Sequence, residues 1–213
     1  MMKVCLFALP ITCLALGCGA SYNVGVNGYS STGRSLQIPS RSSIQIVADS
    51  NVPNPILQRE VMAKIETLLK DQGYDVEADE PNYYLRFHYG IDSGRAVTGV
   101  VPVWQSGFYS DYYYGYGHRH SYVTHVPYSE VVYTRWLVLR LFDGDAYRAS
   151  GDAASKETEP LWIGEIASAG TDSDLRGLID YMLIVGFEYF GRDTGRMISE
   201  VISRDDERLW LLR

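Results

Sequence analysis

The 213-residue sequence predicts an α+β fold, a two-layer sandwich whose largely antiparallel sheet carries helices on one face and a Tyr/Gly-rich insertion. Three observations predict it. Apolar residues alternate or run together in strand-length segments at 83–91, 131–142 and 161–167. Capped helical patterns flank that group, one before it and one after. The resulting order of strand, helix, two strands, hairpin and helix suits helices laid on one side of an antiparallel sheet.

Taken in order, Ile44-Gln45-Ile46-Val47-Ala48 is a short β-branched strand. Asn54 caps a helix with Pro55 at its first position, where the missing N–H costs nothing. Leu57, Val61, Ile65, Leu68 and Leu69 share one face of it, and Gly73 supplies a left-handed stop. From Tyr83 to Ile91, Tyr83, Leu85, Phe87, Tyr89 and Ile91 alternate with Tyr84, Arg86, His88 and Gly90. His88 falls on the polar side, as a solvated strand histidine. Val131 to Phe142 is the longest apolar segment and is placed centrally, with both faces at least partly covered. Asp143-Gly144 opens a polar loop, and Leu161 to Ala167 returns as a partner strand. Asp172 or Ser173 caps a helix with Leu175, Leu178, Ile179, Met182 and Leu183 in one stripe, and Asp193-Thr194 opens a last helix through Ile202.

The N-terminus reads as an export signal. Lys3 precedes an apolar run from Val4 to Leu16, too short to cross a bilayer, and small residues follow. Leu14-Ala15-Leu16-Gly17-Cys18 resembles a bacterial lipobox, with Ala15 where that motif carries Leu. The resemblance implies that Cys18 is acylated and becomes the first mature residue; cleavage after Ala20 is the alternative. All three cysteines (5, 13 and 18) lie in this region, so processing at Cys18 leaves no free thiol and no disulfide. Gly19 after the cysteine suits the outer membrane. The expected organisation is a signal peptide at 1–17, a flexible Ser/Gly/Asn-rich tether at 18–42, one domain at 43–204 with an insertion at 94–130, and a tail at 205–213 that docks on its own domain.

Removing the first 17 residues takes away Lys3 and no acidic residue, leaving 18 basic against 26 acidic side chains. Such a chain is poorly suited to binding nucleic acid or anionic lipid by charge.

The segments GYDVEADEPNYYLRFHYGID, RWLVLRLFDGDA, LWIGEIASAG and DLRGLIDYML resemble the bacterial lipoprotein family catalogued as domain of unknown function 4136, from Ser42 to Arg196. The matching features are Gly73-Tyr74 at a helix end, Asp79 to Pro81 before a strand, Asp143 after one, Leu161 to Gly164, and the helix from Leu175. The loop after Asp143 departs from the family by its length and polarity. The resemblance implies an envelope lipoprotein with an α/β sandwich and an insertion between the central strands. It implies no reaction and no cofactor.

The insertion holds the candidate contact residues. Seven of the chain's 17 tyrosines lie between Tyr109 and Tyr128, and Tyr109, Tyr112, Tyr113, Tyr114, Tyr116 and Tyr122 form the expected partner surface. Tyrosine offers large amphipathic area at small entropic cost. An envelope protein or a cell-wall polymer is the expected partner, besides the membrane reached through the lipid. His118, His120 and His125, with Asp111, are the candidate metal ligands, but a Gly-punctuated loop gives them no rigid frame, so no metal is assigned. No Gly-x-Ser-x-Gly elbow, phosphate loop or His-Glu-x-x-His motif is present. The expected role is a non-enzymatic, lipid-anchored envelope component. The alternatives are a periplasmic metal binder built on those histidines or a hydrolase with dispersed carboxylates.

Overall fold

The computed structural model describes residues 21–48, 53–76, 78–109, 118–150 and 158–213, with the side chains of 104–109 and 118–122 excepted. Residues 1–17, expected to be a signal segment, and Cys18, Asp111 and tyrosines 112, 113, 114 and 116 lie outside the described residues.

The chain has mixed α/β content built on a large open, mostly antiparallel seven-stranded sheet. Its elements are β1 (Ser21–Ser30), β2 (Ile44–Val47), α1 (Pro55–Asp71), β3 (Tyr83–Ile91), β4 (Arg95–Tyr109), β5 (His118–Asp143), α2 (Gly144–Ala149), β6 (Trp162–Gly170), α3 (Leu175–Glu188), β7 (Ile198–Ser203) and a closing 3-10 turn, Glu207–Leu212. The strand order is β2-β3-β5-β6-β1-β7, with β4 paired to the first half of β5. One pair, β2 with β3, is parallel, and α1 is the crossover it requires.

Burial alternates along the strands, as a pleat demands. Leu137, Leu139 and Leu141 of β5, Leu85 and Phe87 of β3, Ile166 of β6 and Val24 and Val26 of β1 are buried together with the inner stripes of α1 and α3. Burying an Ile or Leu of this kind is worth about 1.5–3 kcal/mol. The opposite side of β5 is partly covered: Trp136 remains 40% exposed, whereas Phe142 is shielded by the Tyr147 ring of α2.

The first helix forms as its sequence dictates. Asn54 Oδ1 accepts the Leu57 N–H at 3.0 Å, and Gly73 takes φ +83° just past the end. Lys64 lies between Glu60 of α1 and Asp180 of α3 at 3.1 and 2.7 Å, and Arg176 reaches Glu60 at 2.9 Å. These contacts join the two helices and, led by the Arg176 hydrogen bond, hold the Glu60 carboxyl below the usual glutamate range.

Four expectations are corrected. The tether at 18–42 gives way to β1, which pairs on both edges, with β6 and β7. Its Val24, Val26 and Gly28 are buried in alternation, and Leu36 and Ile38 beyond it pack on the core, so the domain begins before residue 43. The last helix is instead strand β7. Asp193 and Thr194 do cap backbone N–H groups, but those of β1: Thr194 Oγ1 accepts from Gly28 at 3.0 Å and Asp193 Oδ2 from Ser30 at 3.3 Å. The loop after Asp143 opens with a six-residue helix that Asp143 caps. The predicted insertion loop at 94–130 is, over its described residues, two long strands. One smaller difference is a cap at Asp174 rather than Asp172 or Ser173; in the terminal segment Leu209 and Leu212 are buried against the domain.

Candidate binding surface: the β4–β5 ribbon

Beyond the sheet, β5 continues with β4 alone. The two pair in unbroken register from Arg95–Val132 to Tyr109–His118, making a two-stranded ribbon. At about 3.4 Å per residue, fifteen pairs reach about 50 Å. An isolated two-stranded ribbon is marginal in water, so this one depends on its root.

The root is tightly specified. Asp92 Oδ1 accepts the N–H groups of Gly94 and Thr134, each at 3.0 Å, fixing the bend between β3 and β4. The Thr134 N–H is the main reason that the Asp92 carboxyl is held below the usual aspartate range. Gly94 at φ +80° makes the bend possible. Bare glycines then lie beneath aromatic rings on the facing strand. A Cβ on Gly90 would sit 2.5 Å from the Trp136 indole, and one on Gly99 would sit 2.5 Å from the Tyr128 ring. Each ring covers backbone that glycine leaves bare.

Arg135 anchors the root from inside. It is 1% exposed, donating through Nη1 to the Asp172 carbonyl at 2.7 Å and through Nε to the Ser168 carbonyl at 3.4 Å. Burial lowers the affinity of its guanidinium for the proton.

Above the root the ribbon is apolar and uncovered on both faces. Register puts Val97, Val101, Val126 and Tyr128 on one face and Val100, Pro127, Val123 and Val131 on the other. Val100 is 61% exposed, and Val101, Val103, Val123, Val126, Tyr128 and Val131 are exposed as well. Between 95 and 132 the only charges are Arg95, Asp111, Arg119 and Glu130, so this segment is neutral on an acidic chain.

The expected contact tyrosines are dispersed by this arrangement. Tyr109 closes β4 opposite His118, Tyr122 lies opposite Gln105, and no side chain of these is described. The exposed valines were not singled out by the sequence, where they fall on both parities of each strand. The candidate metal set is separated by strand parity: positions 118 and 120 belong to one face of the ribbon and His125 to the other. Strand parity thus sets His125 apart from positions 118 and 120, and no cluster of metal-ligating residues occurs among the described residues.

Clefts also lie elsewhere among the described residues. A polar one of about 560 Å³ is bordered by Arg41, Glu80, Asp143, Asp145 and Arg148. Asp143 is engaged as the α2 cap, and Arg148 binds both the Pro81 carbonyl at 2.8 Å and Asp145, so these groups hold the loop in place. An apolar cleft of about 300 Å³ lies between the start of α1 and the end of β3, bordered by Leu57, Phe87, Tyr89, Ile91 and Leu175. Among the described residues no helix is long and apolar enough to cross a membrane.

No protein-family model and no curated protein matches the chain. Among solved structures it is similar to a PDZ domain protein from Parabacteroides distasonis, 12% identical with a TM-score of 0.41, over 87% of this chain and 40% of that one. It is also similar to the PelC dodecamer from Paraburkholderia phytofirmans, 9% identical with TM-scores of 0.38 and 0.37 in two crystal forms, over 75% of this chain and 91% of that one. Neither likeness identifies a function for this chain.

Proposed function

We propose that this chain is a lipid-anchored protein of the bacterial cell envelope that acts by contact rather than catalysis, with the β4–β5 ribbon as its contact surface. Cys18 carries the acyl chains, and the body is a two-layer α+β sandwich of the domain of unknown function 4136 type facing the periplasm from the outer membrane. The lipobox-like run before Cys18, the absence of other cysteines from the processed chain and the family-like motifs between Gly73 and Leu175 support the anchor. One observation carries the contact role: a long, charge-neutral ribbon exposes valines in series on both faces, whereas the exposed apolar residues elsewhere, such as Ile56, Val201 and Trp210, lie on separate elements. Exposed apolar area of this extent marks a surface that meets something else.

Protease protection tests the contact. Trypsin cleaves after basic residues, and Arg119 is the one such residue between Arg95 and Arg135. Purified protein is expected to be cut at Arg119 readily, and the same bond in osmotically opened cells to be protected. Equal cleavage in both settings would show that the ribbon meets nothing in the envelope.

A further inference from the structure

Both edges of the ribbon are blunted. Pro102 lies in β4 and Pro127 in β5, opposite His125 and Val100 in the same register class. Proline has no N–H, and in an unbroken two-stranded register the missing donor must be the one aimed at the outer edge. Each edge thus lacks a donor that a third strand would need, the usual defence against edge-to-edge pairing. The ribbon's partner therefore covers its faces and does not extend its sheet.

Topology says where those faces are. Tyr133 pairs with Gly170 at the end of β6, and Gly25 of β1 pairs with Ala167 of the same strand. Running β1 back from Gly25 brings Ser21 level with the ribbon's root. Ser21, where the described part of β1 begins, thus lies at the end of the sheet from which the ribbon projects. Cys18 is three residues away, within about 10 Å even for extended chain. A bilayer holding acyl chains on Cys18 lies beside the root, and an arm of about 50 Å starting there must run against it or into it.

The chemistry agrees with that placement. The segment 95–132 is net neutral, so it meets no repulsion from anionic headgroups, whereas the acidic remainder of the chain does. Exposed valines on both faces, joined by Tyr128, suit the boundary between headgroups and acyl chains, where Trp and Tyr are enriched.

We infer that the ribbon is a second membrane contact: Arg95–Val103 and Val123–Val132 lie in the interfacial zone of the same bilayer that holds the lipid on Cys18, fixing the body's orientation to the membrane. The inference rests on the anchored reading proposed above and names the lipid surface as the component that the ribbon meets.

The acylated chain has no other cysteine, so single thiols can be added at will. Val100→Cys, Val126→Cys and Ser40→Cys place an environment-sensitive fluorophore on the two ribbon faces and, as control, at the exposed turn near the opposite end of the sheet. Each acylated protein, its acylation verified by intact mass, is reconstituted into phosphatidylethanolamine–phosphatidylglycerol vesicles containing a nitroxide near the top of the acyl chain. The labels at 100 and 126 are expected to lose most of their fluorescence, and the label at 40 to keep it. Ribbon labels as bright as the control would overturn the inference. So would labels shielded from aqueous iodide yet unquenched by the lipid, which would assign the faces to a second copy or another protein. A chain that arrives unacylated defeats the anchor alone; offered to the same vesicles as the Cys18→Ser form, it still reports on the ribbon.

Discussion

Replacing Gly28 with alanine is expected to destabilise the domain more than any other single methyl group added to β1. Gly28 is buried where the segment after α3 crosses that strand, and a Cβ there would lie 2.2 Å from the Arg192 carbonyl oxygen. The contact is with backbone, so no side chain can swing aside. Three hydrogen bonds depend on the approach: Gly28 N–H to Thr194 Oγ1 at 3.0 Å, Thr194 N–H to the Gly28 carbonyl at 3.1 Å, and Trp162 Nε1–H to the Arg192 carbonyl at 2.9 Å. Pushing Arg192 away strands the indole N–H of a fully buried tryptophan, at about 1–3 kcal/mol for that group alone. With the backbone displacement added, the loss is about 3 kcal/mol or more. At about 2–4 °C per kcal/mol for a domain of this size, the melting temperature falls by about 10 °C. Thermal melts of wild type and Gly28→Ala check this, and a difference within a degree or two would mean that the crossing is looser than described.

Arg135→Ala is the second large effect. The side chain is buried and its donors serve two carbonyls, those of Ser168 and Asp172, while Ser168 Oγ donates to the Asn23 carbonyl at 2.8 Å. Truncation leaves the carbonyls of buried Ser168 and of Asp172 without those donors and opens a cavity at the ribbon's root, costing about 3 kcal/mol. Arg135→Met keeps the aliphatic stem's volume and removes the cost of desolvating a cation, so it is expected to recover part of the loss. Urea denaturation of both variants separates the contributions. If Met were as damaging as Ala, the carbonyl hydrogen bonds alone would matter; if Ala cost nothing, Arg135 would not anchor the root.

Much of this fold was legible in the sequence because local signals and tertiary needs agreed. The Asn54-Pro55 start and Gly73 stop of α1 say the same thing in an isolated peptide as in the folded domain, and so does the alternation of β3. The misses arose where a residue's role is set by a distant partner. In Ser21–Ser30 the glycines and polar residues suggested a tether, yet Gly28 is there to let Arg192 approach and Val24 and Val26 enter the core. Met197, Ile198, Val201 and Ile202 fit a helical stripe, but β1 offered a free edge and Ile198 to Ser203 paired with it. The ribbon was hidden differently. Its tyrosines and histidines drew the reading towards a loop, whereas the register that exposes its valines and parts His125 from His118 and His120 is a property of two strands together. Neither strand shows it alone.

The claim on which the account most depends is that this body is held at a membrane through Cys18. Intact-mass measurement of the protein recovered from cell membranes tests it directly. The account predicts a chain beginning at Cys18 with the added mass of fatty acyl groups. An unmodified chain beginning at Ser21, recovered from the soluble periplasmic fraction, would contradict it.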